Sequence, residues 1–170
     1  ETETLDTESP VRPRGEAPAP DALEAALAQF RGEIDQVPPR YSAIHLQGER
    51  AYRRVLRGEE VEIPARRVTI HDLQLLDYTP PEATIGVSCS KGTYIRSLAR
   101  DLGTACGCGA YLTSLSRTRV GPFPLEEAVT EPTLGSAWSL ESVVDAIDEI
   151  RQLELTEEEK LVYNLLKENS

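Results

Sequence analysis

Around Ser90–Arg96 the hydrophobic period of the chain changes, and any fold it adopts must hand a strand over to a helix there. From Ala83 to Cys89, Ile85, Val87 and Cys89 alternate with Thr84, Gly86 and Ser88, the two-residue period of a half-buried strand. Ile95, Leu98, Ala99 and Leu102 then fall at i, i+3, i+4 and i+7, one face of an amphipathic helix that Gly103 is positioned to end. The handover itself reads Ser90-Lys91-Gly92-Thr93-Tyr94-Ile95-Arg96 and gathers a cation, a hinge, a hydroxyl, a ring and a guanidinium. Packing requires no such mixture. Backbone N–H groups left free at such a junction suit an anion or a polar ligand, so this is a candidate site.

The flanking sequence predicts further elements. Glu1–Pro20 holds four prolines and almost no large apolar residue, the composition of an extended connector rather than a packed element. Asp21 is set to cap a short helix whose face is Leu23, Ala26, Leu27 and Phe30, stopped by Gly32. After Pro38-Pro39, Arg40–Leu46 reads as a strand turned at Gln47-Gly48, and Tyr52, Val55 and Leu56 as a brief helix before Gly58. Val61 and Ile63, Val68 and Ile70, and Leu73 and Leu75 read as strand, with a bulge where the phase slips between Ile70 and Leu73. Thr79-Pro80-Pro81-Glu82 turns that strand back against Ala83–Cys89 as a hairpin. Ala110–Val120 reads as another strand, Trp138–Ile147 as a helix, and Thr156 with Glu159 as the capping box of a last one. The fold class expected is α+β: a mixed, largely antiparallel sheet with flanking helices.

Composition narrows the function classes. The 170 residues are 39% hydrophobic and 28% charged, with no apolar run approaching a membrane span and a Glu-rich start unlike a signal peptide. Three cysteines, of which Cys106 and Cys108 lack further Cys or His partners, are expected to be reduced and metal-free. A cytoplasmic protein without metal is therefore expected. The formal charge of -11 is unevenly spread: Pro38–Gly121 carries 12 basic and 8 acidic residues, the flanks 6 and 21. A basic centre between acidic ends can follow phosphates. The absence of any Met leads us to expect a fragment or a processed chain.

Chemically, Lys91 offers a point charge, Arg96 a planar fork for a carboxylate or phosphate, and Tyr94 a ring on which a base can stack. Alone, Tyr94 would be an ordinary core-edge residue and Arg96 a solvated helix charge; their conjunction is what points to a site. Arg40-Tyr41-Ser42 and the arginines from Arg50 to Arg57 form a second basic-aromatic region, equally compatible with a solvated helix face.

Gln36-Val37-Pro38-Pro39-Arg40-Tyr41-Ser42-Ala43, then Gly48 and Tyr52, Ser90–Arg96, Asp101-Leu102-Gly103, Gly107-Cys108-Gly109-Ala110 and Leu115–Gly121 together resemble the bacterial tRNA pseudouridine synthase B family. The resemblance runs from about Phe30 to Val129 and is weaker at Thr2-Glu3-Thr4-Leu5-Asp6. It implies part of a pseudouridine synthase fold and an isomerase that converts a uridine in the T-arm of tRNA, at position 55, to pseudouridine without metal or organic cofactor. It further implies that the uridine is flipped out of the RNA, which stacking and phosphate contacts must offset, and that an ionised aspartate attacks it. By motif position, Arg96 matches the arginine paired with that aspartate, Tyr94 the active-site tyrosine, and Leu115 the apolar residue closing over the base. Arg40, Tyr41, His45, Lys91 and Arg117 match positions expected to contact RNA.

The chain also departs from the pattern. The family's nucleophile lies in a Gly-x-Leu-Asp-Pro motif, which is absent here, and Leu5-Asp6 is followed by Thr7 and matches a different, later motif, so Asp6 is not nominated as nucleophile. His45 stands where Lys is usual, and Val55-Leu56 where Ala-Arg is usual. The organisation expected is a connector over 1–20, part of a catalytic domain over 21–130, and a C-terminal helical segment over 131–170, either the entry to a truncated RNA-binding domain or simply a capped terminal helix. On this reading the chain is inactive alone. A non-catalytic tRNA-binding module derived from the same family, and more remotely a phosphate-binding domain of other chemistry, remain the alternatives, and the upstream reading frame separates the first two.

Overall fold

The computed structural model describes residues 1–128 except Ala43, Gln47, Gly48 and Glu60, with the backbone alone at 45, 46, 49, 50 and 127. The helices expected near Trp138–Ile147 and after Thr156, and the whole 131–170 segment, lie outside the described residues. In chain order the elements are α1 (Pro20–Gln29), β1 (Gly32–Gln36), β2 (His45–Leu46), β3 (Glu49–Arg50), α2 (Ala51–Leu56), β4 (Arg66–Thr79), β5 (Glu82–Cys89), α3 (Ile95–Ala105), β6 (Arg119–Val120), β7 (Phe123–Pro124) and a 3-10 turn at Leu125–Glu127. They divide between a unit spanning Glu1–Leu115 and a second beginning at Ser116. Among the described residues all strand pairs are antiparallel, and the α+β class is the one expected.

The long hairpin β4–β5 is the frame of the first unit. Its registers run from Ile70↔Cys89 to Thr79↔Glu82 and shift between Ile70 and Asp72, where the slip in hydrophobic phase predicts a bulge, and again between Leu75 and Asp77. At the first irregularity the Leu73 carbonyl accepts both Nε (3.1 Å) and Nη2 (2.8 Å) of Arg31. The strand β1 lies on the other side of β4, giving the order β1-β4-β5. It is short and carries Glu33 and Asp35, so no apolar alternation announces it; its pairing Ile34↔Val68 recruits it to the sheet, and Arg67 bridges to both acids.

Both helices contribute to one core. Leu23, Ala26 and Leu27 of α1, Ile70 and Leu73 of β4, and Leu98 and Leu102 of α3 form a single buried cluster, edged by Ile85, Val87 and Cys89. Burying a leucine in full contributes about 1.5–3 kcal/mol, so this cluster fixes where α3 begins relative to the sheet. A second cluster of Ile44, Ala51, Val61 and Ile63 is edged by Val55 and Tyr94.

Several expectations are corrected. Asp21 is not the cap of α1: Ala19 is, with Pro20 in the first turn, where a missing N–H costs nothing and Asp21 meets the positive helix end. Val61 and Ile63 are buried but form no strand, because Pro64 interrupts any ladder before β4. Among the described residues of Arg40–Leu46, only β2 is strand. Ala110–Val120 is strand only at β6, since residues 113–120 are all exposed and offer no face to bury. Residues 1–19 contain neither helix nor strand yet are packed: Thr2 and Leu5 are buried, Glu1 and Arg12 exchange backbone hydrogen bonds, Leu112 N–H donates to the Leu5 carbonyl, and Tyr78 Oη donates to that of Pro18.

Gly103 does not end α3 but lies inside it, for a steric reason. A Cβ there would stand 2.5 Å from Ala110 N and 2.9 Å from Gly109 C, backbone atoms that have nowhere to move. Helix preference alone makes Gly103→Ala stabilising by about 1 kcal/mol, whereas overpacking against backbone costs roughly 1–3 kcal/mol. Gly103→Ala is therefore expected to lower the urea unfolding midpoint; a raised midpoint would mean the crossing has slack.

Candidate active site

The junction begins where β5 ends. Ser90 N–H donates to the Thr69 carbonyl (2.8 Å) while Ser90 Oγ accepts Thr69 N–H (2.9 Å), tying the end of β5 to β4. Gly92 turns the chain at φ +83, a backbone state that L side chains rarely adopt. Thr93 Oγ1 then closes back on the Ser90 carbonyl at 2.9 Å. Tyr94 N–H donates to Oε1 of Gln36 (2.8 Å), a side chain only 1% exposed, and the Tyr94 carbonyl accepts the first helical bond, from Leu98 N–H. The amides of Ser90, Thr93 and Tyr94 are thus spent within the protein, ahead of the first turn of α3.

Arg96 is the focus of the junction. Its Nη1 lies 2.7 Å from Asp6 Oδ2 and donates also to the Thr4 carbonyl (3.3 Å); its Nη2 donates to the Tyr41 carbonyl (3.0 Å). The two charged side chains are only 27% and 20% exposed. Burial by itself pushes the Asp6 carboxyl up, but Thr4 Oγ1 (2.6 Å), the Glu8 amide (3.0 Å) and the Arg96 guanidinium together outweigh it and hold Asp6 below its ordinary value. Tyr41 donates its phenol to Glu3 Oε1 at 2.8 Å; that bond, reinforced by burial and the carboxylate charge, raises its pKa. Between them runs a loop without ladder bonds, Val37–Ser42, whose Val37 carbonyl takes Ser97 Oγ (2.8 Å) and Arg100 Nη2 (2.9 Å).

Arg96 and the Tyr41 carbonyl are therefore brought together, while Tyr94 packs on the cluster of Ile44, Ala51, Val61 and Ile63. Lys91 is exposed at the turn, and Arg40 is exposed beside Tyr41. Leu115, 58% exposed, ends the first unit, and Arg117 belongs to the second. The His45 backbone lies in β2, and its side chain is outside the described residues. Arg96 was expected to wait for a carboxylate from outside the chain; it already holds Asp6. Sequence reasoning missed Asp6, Thr4 and Gln36 as parts of this site. No periodicity links residues 90 apart, and the weak similarity at Thr2–Asp6 was the available signal.

Residues 1–95 match the family model of the TruB family pseudouridylate synthase N-terminal domain, and residues 96–158 that of the tRNA pseudouridylate synthase B C-terminal domain. The chain belongs to the TruB family of pseudouridylate synthases. The tRNA pseudouridine synthase B of Pseudomonas aeruginosa is 54% identical over 114 residues, 67% of this chain and 38% of that relative. That of Zymomonas mobilis is 44% identical over 131 residues, 76% of this chain and 43% of the relative. A solved Cbf5-Nop10-Gar1 complex superposes with a TM-score of 0.51 at 27% identity, over 86% of this chain and 36% of the matched one. The chain thus spans well under half the length of these relatives.

The lowered Asp6 pKa has a sign that can be tested. The unfolded chain binds a proton at Asp6 near pH 4, above the folded value, so the contribution to stability is complete above that pH and is lost as pH falls through the folded pKa. The difference in urea midpoint between the parent and Asp6→Asn is expected to be largest above about pH 5 and to shrink in acid. A difference independent of pH would mean that Thr4, Glu8 and Arg96 together do not hold Asp6 ionised.

Proposed function

We propose that this chain forms one side of the active site of a tRNA pseudouridine synthase that isomerises a uridine in the T-arm, at position 55, to pseudouridine. The observation that carries the reading is the half-buried Arg96 guanidinium, held by Asp6, Thr4 and Tyr41 two residues after Tyr94. A guanidinium fixed on three acceptors is oriented before any substrate arrives, and its Nε has no partner among the described residues. That edge can meet the attacking carboxylate, keep it ionised and offset the charge that develops on it. Tyr94, half-buried against Ile44 and Val61, presents an aromatic face for the flipped base, and Leu115 closes over it. Lys91, Arg40, Tyr41, His45 and Arg117 contribute to RNA contact. The Tyr41 phenol is already committed to Glu3, so its part is to hold the loop as much as to stack.

Asp6 is not the nucleophile on this reading. Its Oδ1 accepts two hydrogen bonds and its Oδ2 an ion pair, which stabilise the carboxylate and lower its reactivity. We infer that the isolated chain is inactive, and that the enzyme it belongs to needs neither metal nor organic cofactor and acts in the cytoplasm. Among the described residues no helix is long and apolar enough to cross a membrane, and no cluster of three or more His, Cys, Asp or Glu is arranged to hold a metal. The segment 131–170 leads toward an RNA-binding domain.

Two outcomes are expected. The 170-residue chain forms no pseudouridine in a T-arm stem-loop, whereas the protein extended to the length of its relatives does; conversion by the short chain would make Asp6 a nucleophile. In the extended protein, Arg96→Ala lowers kcat by roughly 100-fold or more while RNA affinity, read by filter binding on variant with an unchanged melting profile, moves far less. Equal loss of both would reassign Arg96 to a phosphate, and binding without conversion by the extended protein would favour the non-catalytic module.

A further inference from the structure

The hydrogens around Thr4 can be assigned from valence alone. Thr4 Oγ1 lies 2.6 Å from Asp6 Oδ1 and 2.9 Å from Ser9 Oγ, and Ser9 Oγ lies 3.0 Å from Thr4 N. An ionised carboxylate has no proton to give, so the one proton of the threonine hydroxyl goes to Asp6. Thr4 Oγ1 must then accept from Ser9, and Ser9 Oγ accepts the Thr4 N–H. The result is a one-way relay, from Ser9 to Thr4 to Asp6, in which each bond polarises the next. With the Glu8 amide also on Oδ1, that oxygen is filled and Oδ2 is turned to Arg96 at 2.7 Å. Thr4 acts on the guanidinium a second time, because its carbonyl accepts Nη1. Between Thr4 and Asp6, the buried Leu5 sits at φ +64, an uncommon state for a residue with a branched side chain, and it aims the carbonyl and the carboxylate at the same target.

We propose that Thr4 is a positioning residue for Arg96, setting the carboxylate of Asp6 through its hydroxyl and the guanidinium through its carbonyl, with Ser9 fixing the direction of the hydroxyl proton. The catalytic half of this proposal rests on the reading of Arg96 given above; the geometric half does not. Beside the pair, the Tyr41 phenol binds Glu3, which Arg12 approaches to 4.0 Å, and Glu8 reaches Asp6 through its backbone amide.

The test is a carbon-13 carboxyl titration of Asp6 by NMR in the 170-residue chain and in Thr4→Val, Thr4→Ser and Ser9→Ala. Thr4→Val is expected to move the Asp6 midpoint to higher pH, Thr4→Ser to restore it, and Ser9→Ala to move it in the same direction by less. An unmoved midpoint in Thr4→Val, or one displaced equally in Thr4→Ser, overturns the proposal. Should Thr4→Val not fold, an Asp6 midpoint in folded Ser9→Ala equal to the parent's overturns it. In the extended protein, Thr4→Val is expected to lower kcat roughly tenfold with KM unchanged and the acid limb of the rate profile shifted upward, and Thr4→Ser to recover both. A parent rate in Thr4→Val beside a displaced titration overturns the positioning role. A displaced titration with no pseudouridine made even by the extended parent defeats the functional reading and upholds the geometric one.

Discussion

A planar cation removed from most of its water must be given acceptors at fixed angles, and Arg96 obtains its three from stretches distant in sequence. This demand organises the first unit around α3. With about 100° of rotation per residue, Arg96 and Arg100 share a face roughly opposite Leu98, which is sealed into the core with Leu27 and Leu73. Hydrophobic burial fixes the helix on one side, and the opposite side is left to reach outward with charge. The N-terminal segment and the loop after β1 are both drawn to that face.

The loop shows the same logic in its backbone. Pro38 and Pro39, both buried, have no N–H to offer a ladder, so β1 stops at Gln36. The orphaned Val37 carbonyl is then satisfied from α3, by the hydroxyl of Ser97 and the guanidinium of Arg100. Gln36 returns the favour by accepting the Tyr94 amide. The end of β1 with the loop after it, and the start of α3, thereby hold one another in place by side chain to backbone bonds.

What the sequence made legible follows from the range of each interaction. The β4–β5 hairpin, its bulge near Ile70 and the start of α3 could be read because their signals are local alternations of polar and apolar residues. β1 could not: its place depends on pairing with β4 more than 30 residues on, and its polar face hides it. Gly103 was misread as a stop because a glycine that ends a helix and one that admits a crossing chain look alike until the crossing chain, at Ala110, is known. Tyr94 and Arg96 stood out as candidates through their motif, whereas Thr4 and Asp6 did not, since a proline-rich segment gives no sign of what it will be bound to. The reading of residues 1–20 as an unpacked connector failed for that same reason.

The separation between Asp6 and Arg96 also bears on when the site comes into being. The core of α1, β4 and α3 closes through contacts between elements that each nucleate over short stretches, but the ion pair spans 90 residues. Once the core has joined α1 to α3, only residues 1–19 remain to be placed, so the ion pair can close after the core without a long loop left to order. Pro10, Pro13 and exposed residues 10–17 connect the Asp6 segment to the body. The body can thus be largely formed while Arg96 is still open to water, and docking of the first dozen residues marks the passage from a folded scaffold to a competent one.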